Sequence, residues 1–141
     1  MKLEFANPPS PETTKVLLDN VRAFNQEKTG NERPRTIGYF IKDDEGKIIG
    51  GVQGMLWGRS MHIDVLWVDE HHRGEGLGSK LMTQAEHYAA EHGYPLVYLE
   101  TASFQALPFY ESLGYEKFGE LSEVTAGHAL FFLRKDLSRS T

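Results

Sequence analysis

The hydrophobic and polar positions of the chain change their period several times, and each change predicts a secondary-structure element. Alternation with a period of two, or a short apolar run between turn residues, predicts strands at residues 2–6, 36–41, 47–57, 61–68, 95–100, 115–118 and 129–134. Helical spacing predicts a first helix that begins at Ser10 or Pro11, ends before Gly30 and buries one face. It also predicts helices at about 76–92 and 109–113. The pattern therefore indicates a mixed α/β fold.

Length and composition limit the classes of protein to which the chain can belong. With 141 residues, of which 40% are hydrophobic and 25% charged, we expect one globular domain spanning 1–141. Cysteine is absent, which excludes disulfides, thiol nucleophiles and cysteine-ligated zinc. The formal net charge of −5 argues against nucleic acid as a partner, because a phosphate backbone attracts basic surfaces.

The chain also lacks the apolar segments that membranes and secretion require. No apolar run approaches the ~20 residues that span a bilayer, and the first residues lack the apolar core of a signal peptide. We therefore expect a cytoplasmic protein with no membrane partner.

A glycine-rich loop joins the most apolar predicted strand to the helix that follows it. Gly74, Gly76 and Gly78 allow backbone N–H groups to approach an anion closely, because no β-carbon stands in the way. The helix start adds unpaired donors and the positive end of the helix dipole. Arg73 adds a fixed charge that can pair with two phosphate oxygens at once. The loop therefore has the parts that a pyrophosphate site needs.

Three other interpretations compete for this loop, and its glycine spacing excludes two of them. The dinucleotide fingerprint G-x-G-x-x-G fails, because Ser79 or Leu81 stands where its third glycine belongs. A Walker loop fails as well, because the Gly-Lys-Ser/Thr ending is missing. The remaining alternative is a glycine-rich turn that only lets a strand and a helix pack together.

The spacing Arg73-x-x-Gly76-x-Gly78 resembles the R/Q-x-x-G-x-G/A motif of the GNAT superfamily of acetyl-CoA-dependent N-acetyltransferases. The order of predicted elements is similar over nearly the whole chain. The resemblance implies a mixed, mostly antiparallel central sheet flanked by helices, with a V-shaped splay between the two central strands. It also implies a set of residues that bind acetyl-CoA. The pyrophosphate lies on Arg73, Gly74, Glu75, Gly76, Leu77, Gly78 and Ser79, and the pantetheine arm pairs with the backbone of Trp67 and Val68.

A second segment, from Ser103 to Tyr115, resembles the family's N-x-x-A-x-x-F-Y-x-x-x-G-F motif. The resemblance implies that Tyr110 is the catalytic acid that protonates the departing thiolate, and a phenol within hydrogen-bond range can do so. The alternative is that Tyr110 only packs against Phe109. Ser103 stands where the family often has Asn, so its contact with coenzyme A is expected to be lost, shortened or bridged by water. Pro108 predicts that this helix begins late or is distorted.

Transfer to an amine needs a group that accepts the amine's proton. By the period of two, His62, Asp64 and Leu66 share one face of the strand 61–68. We expect His62 or Asp64 to be the catalytic base, since imidazole titrates in the suitable range and a desolvated carboxylate becomes more basic. The alternatives are Glu100, or purely structural roles for both residues.

The resulting hypothesis is an N-acetyltransferase that moves an acetyl group from acetyl-CoA to a primary amine of a small molecule or peptide by direct attack. The rivals are a non-catalytic acyl-CoA-binding module and a phosphate-binding interaction domain. No metal is expected, because the adjacent His71 and His72 diverge and no third ligand follows at a suitable spacing. A homodimer through the terminal strands is common in such folds, and the sequence leaves that question open.

Overall fold

The computed structural model describes residues 1–30 and 33–139, which form two compact units, Met1–Arg33 and Pro34–Thr141. The first unit contains helix α1, Pro11–Thr29. The Ser10 hydroxyl accepts a hydrogen bond from the Thr13 amide, and Gly30 ends the helix in the left-handed conformation. Both boundaries agree with the predicted ones.

Two other expectations for the first unit were not met. Residues 2–6 form no strand, because a five-residue alternation gives only a local tendency and a strand needs a partner to pair with. Taken by itself, this unit buries none of the residues of α1, although the periodicity predicted a buried face.

The second unit is built on a sheet. Within residues 33–139 its six strands are β1 Arg35–Lys42, β2 Ile48–Trp57, β3 Ser60–Val68, β4 Leu96–Ala102, β5 Glu116–Thr125 and β6 His128–Asp136. Their order across the sheet is β1-β2-β3-β4-β6-β5. Every neighbouring pair is antiparallel except β3 and β4, which are parallel. The sheet is thus mixed and mostly antiparallel, as predicted.

The parallel pair at the centre separates soon after it begins. Ser60 pairs with Leu96, Met61 with Val97 and His62 with Tyr98, and no later residue of β3 pairs with β4. Both strands continue for several residues on their outer neighbours, β2 and β6. This separation is the predicted V-shaped splay.

Helix α2, Leu77–Glu91, connects the two central strands, β3 and β4, and helix α3, Leu107–Ser112, connects β4 to β5. Helix α2 follows a 3₁₀ turn at Glu70–His72 and buries a stripe of side chains: Leu81, Met82, Ala85 and Ala89. Helix α3 is short and begins before the predicted residue 109, with Pro108 accommodated in its first turn. The most completely buried side chains of the core are Leu56, Met61, Met82, Val97, Leu99 and Leu133.

Candidate active site

The splay between β3 and β4 opens a cavity of ≈ 820 Å³ beside the start of α2 and α3. Its lining residues are Ile63, Asp64, Val65, Leu66, Trp67, Val68, His72, Arg73, Gly74, Gly76, Leu77, Gly78, Ser79, Leu99, Glu100, Thr101, Gln105, Ala106, Phe109 and Tyr110. Beyond His62, the edge of β3 that faces β4 has no strand partner. An extended ligand can therefore pair with this edge by main-chain hydrogen bonds.

The loop at one end of the cavity presents backbone donors. Gly74 and Gly76 have φ angles of 83° and 79°, in the left-handed region that favours glycine. Gly76 caps α2 without a side-chain hydrogen bond to the first turn. The first N–H groups of a helix have no partner within the helix, so those of α2 remain available to an anion.

Arg73 ties this loop to the end of β3. Its Nε donates to the carbonyl oxygen of Val68 at 3.0 Å. That bond fixes the base of the guanidinium group and leaves its two terminal nitrogens for a ligand. Arg73 lines the cavity, so its charge lies where the helix start already favours an anion.

Most of the predicted cofactor residues line this one cavity, and two do not. Those that line it are Trp67, Val68, Arg73, Gly74, Gly76, Leu77, Gly78 and Ser79. Glu75 is not a lining residue, and its carboxylate lies 3.4 Å from Nδ1 of His72, which does line the cavity. The Ser103 hydroxyl accepts a hydrogen bond from the Ala129 amide at 3.0 Å, so this side chain links the end of β4 to β6.

Tyr110 lies at the wall of the cavity on α3 and is only 8% exposed. Burial raises the pKa of its phenol, because the low-dielectric surroundings disfavour the charged phenolate. Tyr110 therefore keeps its proton at neutral pH. Among the described residues no hydrogen-bond partner holds this hydroxyl, so the proton is available to a group in the cavity.

His62 lies between two carboxylates. Its Nδ1 is 2.7 Å from Asp64 Oδ1, and its Nε2 is 2.5 Å from Glu100 Oε2. A neutral imidazole has one N–H, so both contacts can be hydrogen bonds only when the cluster holds an additional proton. Asp64 and Glu100 line the cavity, whereas His62 lies behind them against the ring of Tyr98, with ring centroids 4.8 Å apart.

A β-bulge places Asp64 beside His62. Gln53 pairs with Val65 and Gly54 with Ile63, which leaves Asp64 as an extra residue in β3. The bulge shifts the alternation by one residue, so Leu66 packs against the hydrophobic core. The prediction that His62, Asp64 and Leu66 share one face was therefore wrong for Leu66, because the period of two holds only in an unbulged strand.

The sequence interpretation missed several cavity residues. Thr101, Gln105, Ala106 and Phe109 line the cavity but were not predicted as site residues. Ala106 and Phe109 belong to the second motif, so their place beside Tyr110 could have been inferred. No sequence signal marks Gln105, since its position depends on the turn that joins β4 to α3.

Two further properties concern the described part of the chain. Within residues 1–30 and 33–139, no group of three or more His, Cys, Asp or Glu side chains is arranged to hold a metal ion. None of the helices described there is both long enough and apolar enough to cross a membrane.

Comparison with known proteins places this geometry among acetyltransferases. A family model described as "Acetyltransferase (GNAT) family" matches residues 3–115. Blasticidin-S acetyltransferase of Streptomyces morookaense is 33% identical over 119 residues, which cover 83% of this chain and 88% of that protein. The crystal structure of an acetyltransferase from Bacillus cereus ATCC 14579 is 32% identical, with a TM-score of 0.81, and the match covers 95% of this chain and 98% of that one.

A further similar structure contains the expected co-substrate. It is a candidate streptothricin acetyltransferase from Bacillus anthracis str. Ames in complex with acetyl coenzyme A. The two chains are 26% identical with a TM-score of 0.65, and the match covers 74% of this chain and 64% of that one.

Proposed function

Because the chain belongs to the acetyltransferase (GNAT) family and is an acetyl-CoA-dependent N-acetyltransferase, we propose that the cavity between β3 and β4 is its active site. The observation that carries this proposal is that the Arg73–Ser79 loop, the unpaired edge of β3 and the Tyr110 hydroxyl border one cavity. The family match spans parts of both compact units, which supports a single N-acetyltransferase domain over 1–141.

The cavity has the features that acetyl-CoA requires. The guanidinium of Arg73 and the first amides of α2 hold the pyrophosphate, and the edge of β3 at Trp67 and Val68 pairs with the amides of the pantetheine arm. A β-carbon at Gly74 or Gly76 would meet no atom within 4 Å, so the backbone there is open to a ligand. Acetyl-CoA supplies the activated acetyl group as a thioester.

Tyr110 acts as the general acid. The amine nitrogen forms a bond to the acetyl carbonyl carbon, the carbon–sulfur bond breaks, and the thiolate leaves with the electron pair. The phenol proton of Tyr110 then neutralises the thiolate as coenzyme A departs. Burial raises the pKa of Tyr110, so the phenol is protonated at neutral pH, and its position at the cavity wall is what supports the role of acid.

The cluster of His62, Asp64 and Glu100 accepts the proton that the attacking amine loses. The two carboxylates face the cavity, so one of them takes the proton directly or through water. His62 contacts both carboxylates and can hold the proton in either hydrogen bond. We assign the accepting position to Asp64, with His62 as its partner and Glu100 as the alternative.

The acceptor is a primary amine of a small molecule. The relative and the candidate enzyme named above carry blasticidin-S and streptothricin in their names, which supports a small-molecule acceptor over a peptide. The non-catalytic binding module is not favoured, because the family and these relatives are acetyltransferases. The cytoplasmic location and the homodimer stay predictions of the sequence.

Tyr110→Phe tests this assignment, because it removes the proton but keeps the ring. We expect a fall in kcat of about 10²-fold with little change in the KM for acetyl-CoA, which is the size typical of a general acid. The assay is thiol release in a screen of amine acceptors, with thermal shifts for acetyl-CoA, coenzyme A and ATP. A shift with ATP alone would overturn the coenzyme A site, and unchanged turnover in Tyr110→Phe would remove Tyr110 as the acid.

A further inference from the structure

Gln105 is a polar side chain in the turn between β4 and α3, and it lines the cavity. Its Oε1 accepts a hydrogen bond from the Ala102 amide at 2.7 Å and a second from the Thr101 hydroxyl at 3.3 Å. Thr101 is 3% exposed, so one of these anchors is part of the buried structure. The oxygen end of Gln105 is thereby fixed to the end of β4.

Chemistry determines which end of the Gln105 amide faces the backbone. A main-chain N–H can only donate, so the atom 2.7 Å from the Ala102 nitrogen must be the oxygen. The amide group is planar, and its nitrogen therefore points away from this anchor. Within residues 33–139 no acceptor holds that nitrogen, although it belongs to a side chain that lines the cavity.

We propose that Gln105 is a cofactor-binding residue whose Nε2 donates a hydrogen bond to a carbonyl oxygen of acetyl-CoA. This inference rests on the proposed function, because it requires acetyl-CoA in this cavity. The carbonyl that accepts this hydrogen bond is either an amide carbonyl of the pantetheine arm or the thioester carbonyl. Both offer the same chemistry. A donor that is already fixed by two bonds loses little freedom when it binds, which favours affinity.

The position of Gln105 supports a role at the acyl end of the cavity. It immediately precedes Ala106, whose carbonyl accepts from the Tyr110 amide at 3.2 Å, so the turn that holds Gln105 also begins the helix of the proposed acid. Ser103 does not line the cavity, and its hydroxyl accepts from the Ala129 amide and lies 3.5 Å from Nδ1 of His128.

Two variants distinguish a Gln105 side chain that donates to the cofactor from one that only stabilises the turn between β4 and α3. Gln105→Glu keeps an oxygen for the Ala102 amide and removes the N–H donors, whereas Gln105→Met removes both functions. Gln84→Glu on the exposed side of α2 is the matched control for the added charge. For each variant we would measure the Kd of coenzyme A and of acetyl-CoA by calorimetry, the steady-state constants, and the melting temperature.

We expect Gln105→Glu to keep the melting temperature of the wild type. Either the Kd of the cofactor should rise or kcat/KM for acetyl-CoA should fall by about tenfold, the size of one hydrogen bond. If the partner is a pantetheine amide, the Kd values of coenzyme A and acetyl-CoA rise together. If it is the thioester carbonyl, the Kd of coenzyme A is unchanged and kcat/KM for acetyl-CoA falls. Gln84→Glu should have the same Kd values and the same kcat/KM as the wild type.

Three results would overturn the inference. One is a Gln105→Glu variant that binds and turns over like the wild type while Gln105→Met loses stability, because Gln105 then only stabilises the turn. Another is a Gln84→Glu variant that loses as much cofactor affinity or kcat/KM as Gln105→Glu does. The third is a loss that disappears between 50 and 500 mM salt, since screening removes the effect of added charge but not of a missing donor. A wild type that binds no coenzyme A would instead contradict the proposed function itself.

Discussion

A β-carbon at Gly78 would lie 3.2 Å from Cζ of the Phe109 ring. The tip of the Phe109 ring on α3 therefore packs on Gly78 in the first turn of α2, where the glycine leaves room for it. Phe109 in turn makes an edge contact with the Tyr110 ring, with centroids 5.1 Å apart. Phe109 thus contacts both Gly78 of the first motif and Tyr110 of the second.

Gly78→Ala should displace the Phe109 ring by a few tenths of an ångström and disturb Tyr110. Alanine is better than glycine within a helix by about 1 kcal/mol, which offsets the cost of the contact. We therefore expect a nearly unchanged free energy of unfolding and a lower kcat. The double variant with Phe109→Leu, which removes the contacting ring, measures the coupling, and additive effects on kcat would contradict the proposed contact.

Arg73→Ala should raise the KM for acetyl-CoA by about 10- to 100-fold, the range for losing a charge-assisted hydrogen bond. The loss has two sources, because Arg73 also holds the loop against Val68. Arg73→Lys keeps the charge but not the planar donor set, and we expect an intermediate KM. Steady-state kinetics with varied acetyl-CoA checks this, and an unchanged KM in Arg73→Ala would exclude the pyrophosphate site.

Asp64→Asn should lower kcat by about 10²-fold and leave the KM for acetyl-CoA unchanged, because the variant removes a proton acceptor on the side of the amine. Glu100→Gln is the matched control, since both carboxylates contact His62. A larger loss in Glu100→Gln than in Asp64→Asn would transfer the role of base to Glu100.

Stability should fall as the pH rises above about 10, the pKa of tyrosine in an unfolded chain. Burial, with the nearby Glu86 carboxylate, raises the pKa of Tyr115, whose hydroxyl donates to Glu86 at 2.9 Å. Above pH 10 the unfolded chain releases the phenol proton and the folded chain retains it. The unfolded state then binds fewer protons, so the free energy of unfolding decreases as the pH rises.

Urea unfolding between pH 8 and 11 tests this pH dependence. Tyr115→Phe removes the titrating group, so we expect a shallower decline than in the wild type, together with a lower stability at pH 8 from the lost hydrogen bond. Glu120→Gln, which breaks the exposed pair with Lys117, should keep the decline of the wild type. Equal declines in all three proteins would show that Tyr115 does not contribute.

The local signals of the chain were sufficient for most of the fold and for one end of the site. Strand, glycine loop and helix follow one another within residues 60–91, so the loop around Arg73 could be predicted from neighbouring residues. The second motif placed Tyr110 on a short helix, and Pro108 lies in the first turn of that helix. The strand predicted at 2–6 was wrong, because alternation alone does not provide a partner.

The sequence by itself predicted the loop, the position of Tyr110 and the family, because each depends on residues close together in the chain. Only the tertiary structure decided the remainder of the site. The bulge at Asp64, the contact of His62 with Glu100 and the anchoring of Gln105 depend on how β2, β3 and β4 meet. Register and bulges arise from pairing between distant segments, and a single sequence contains no direct signal for that pairing.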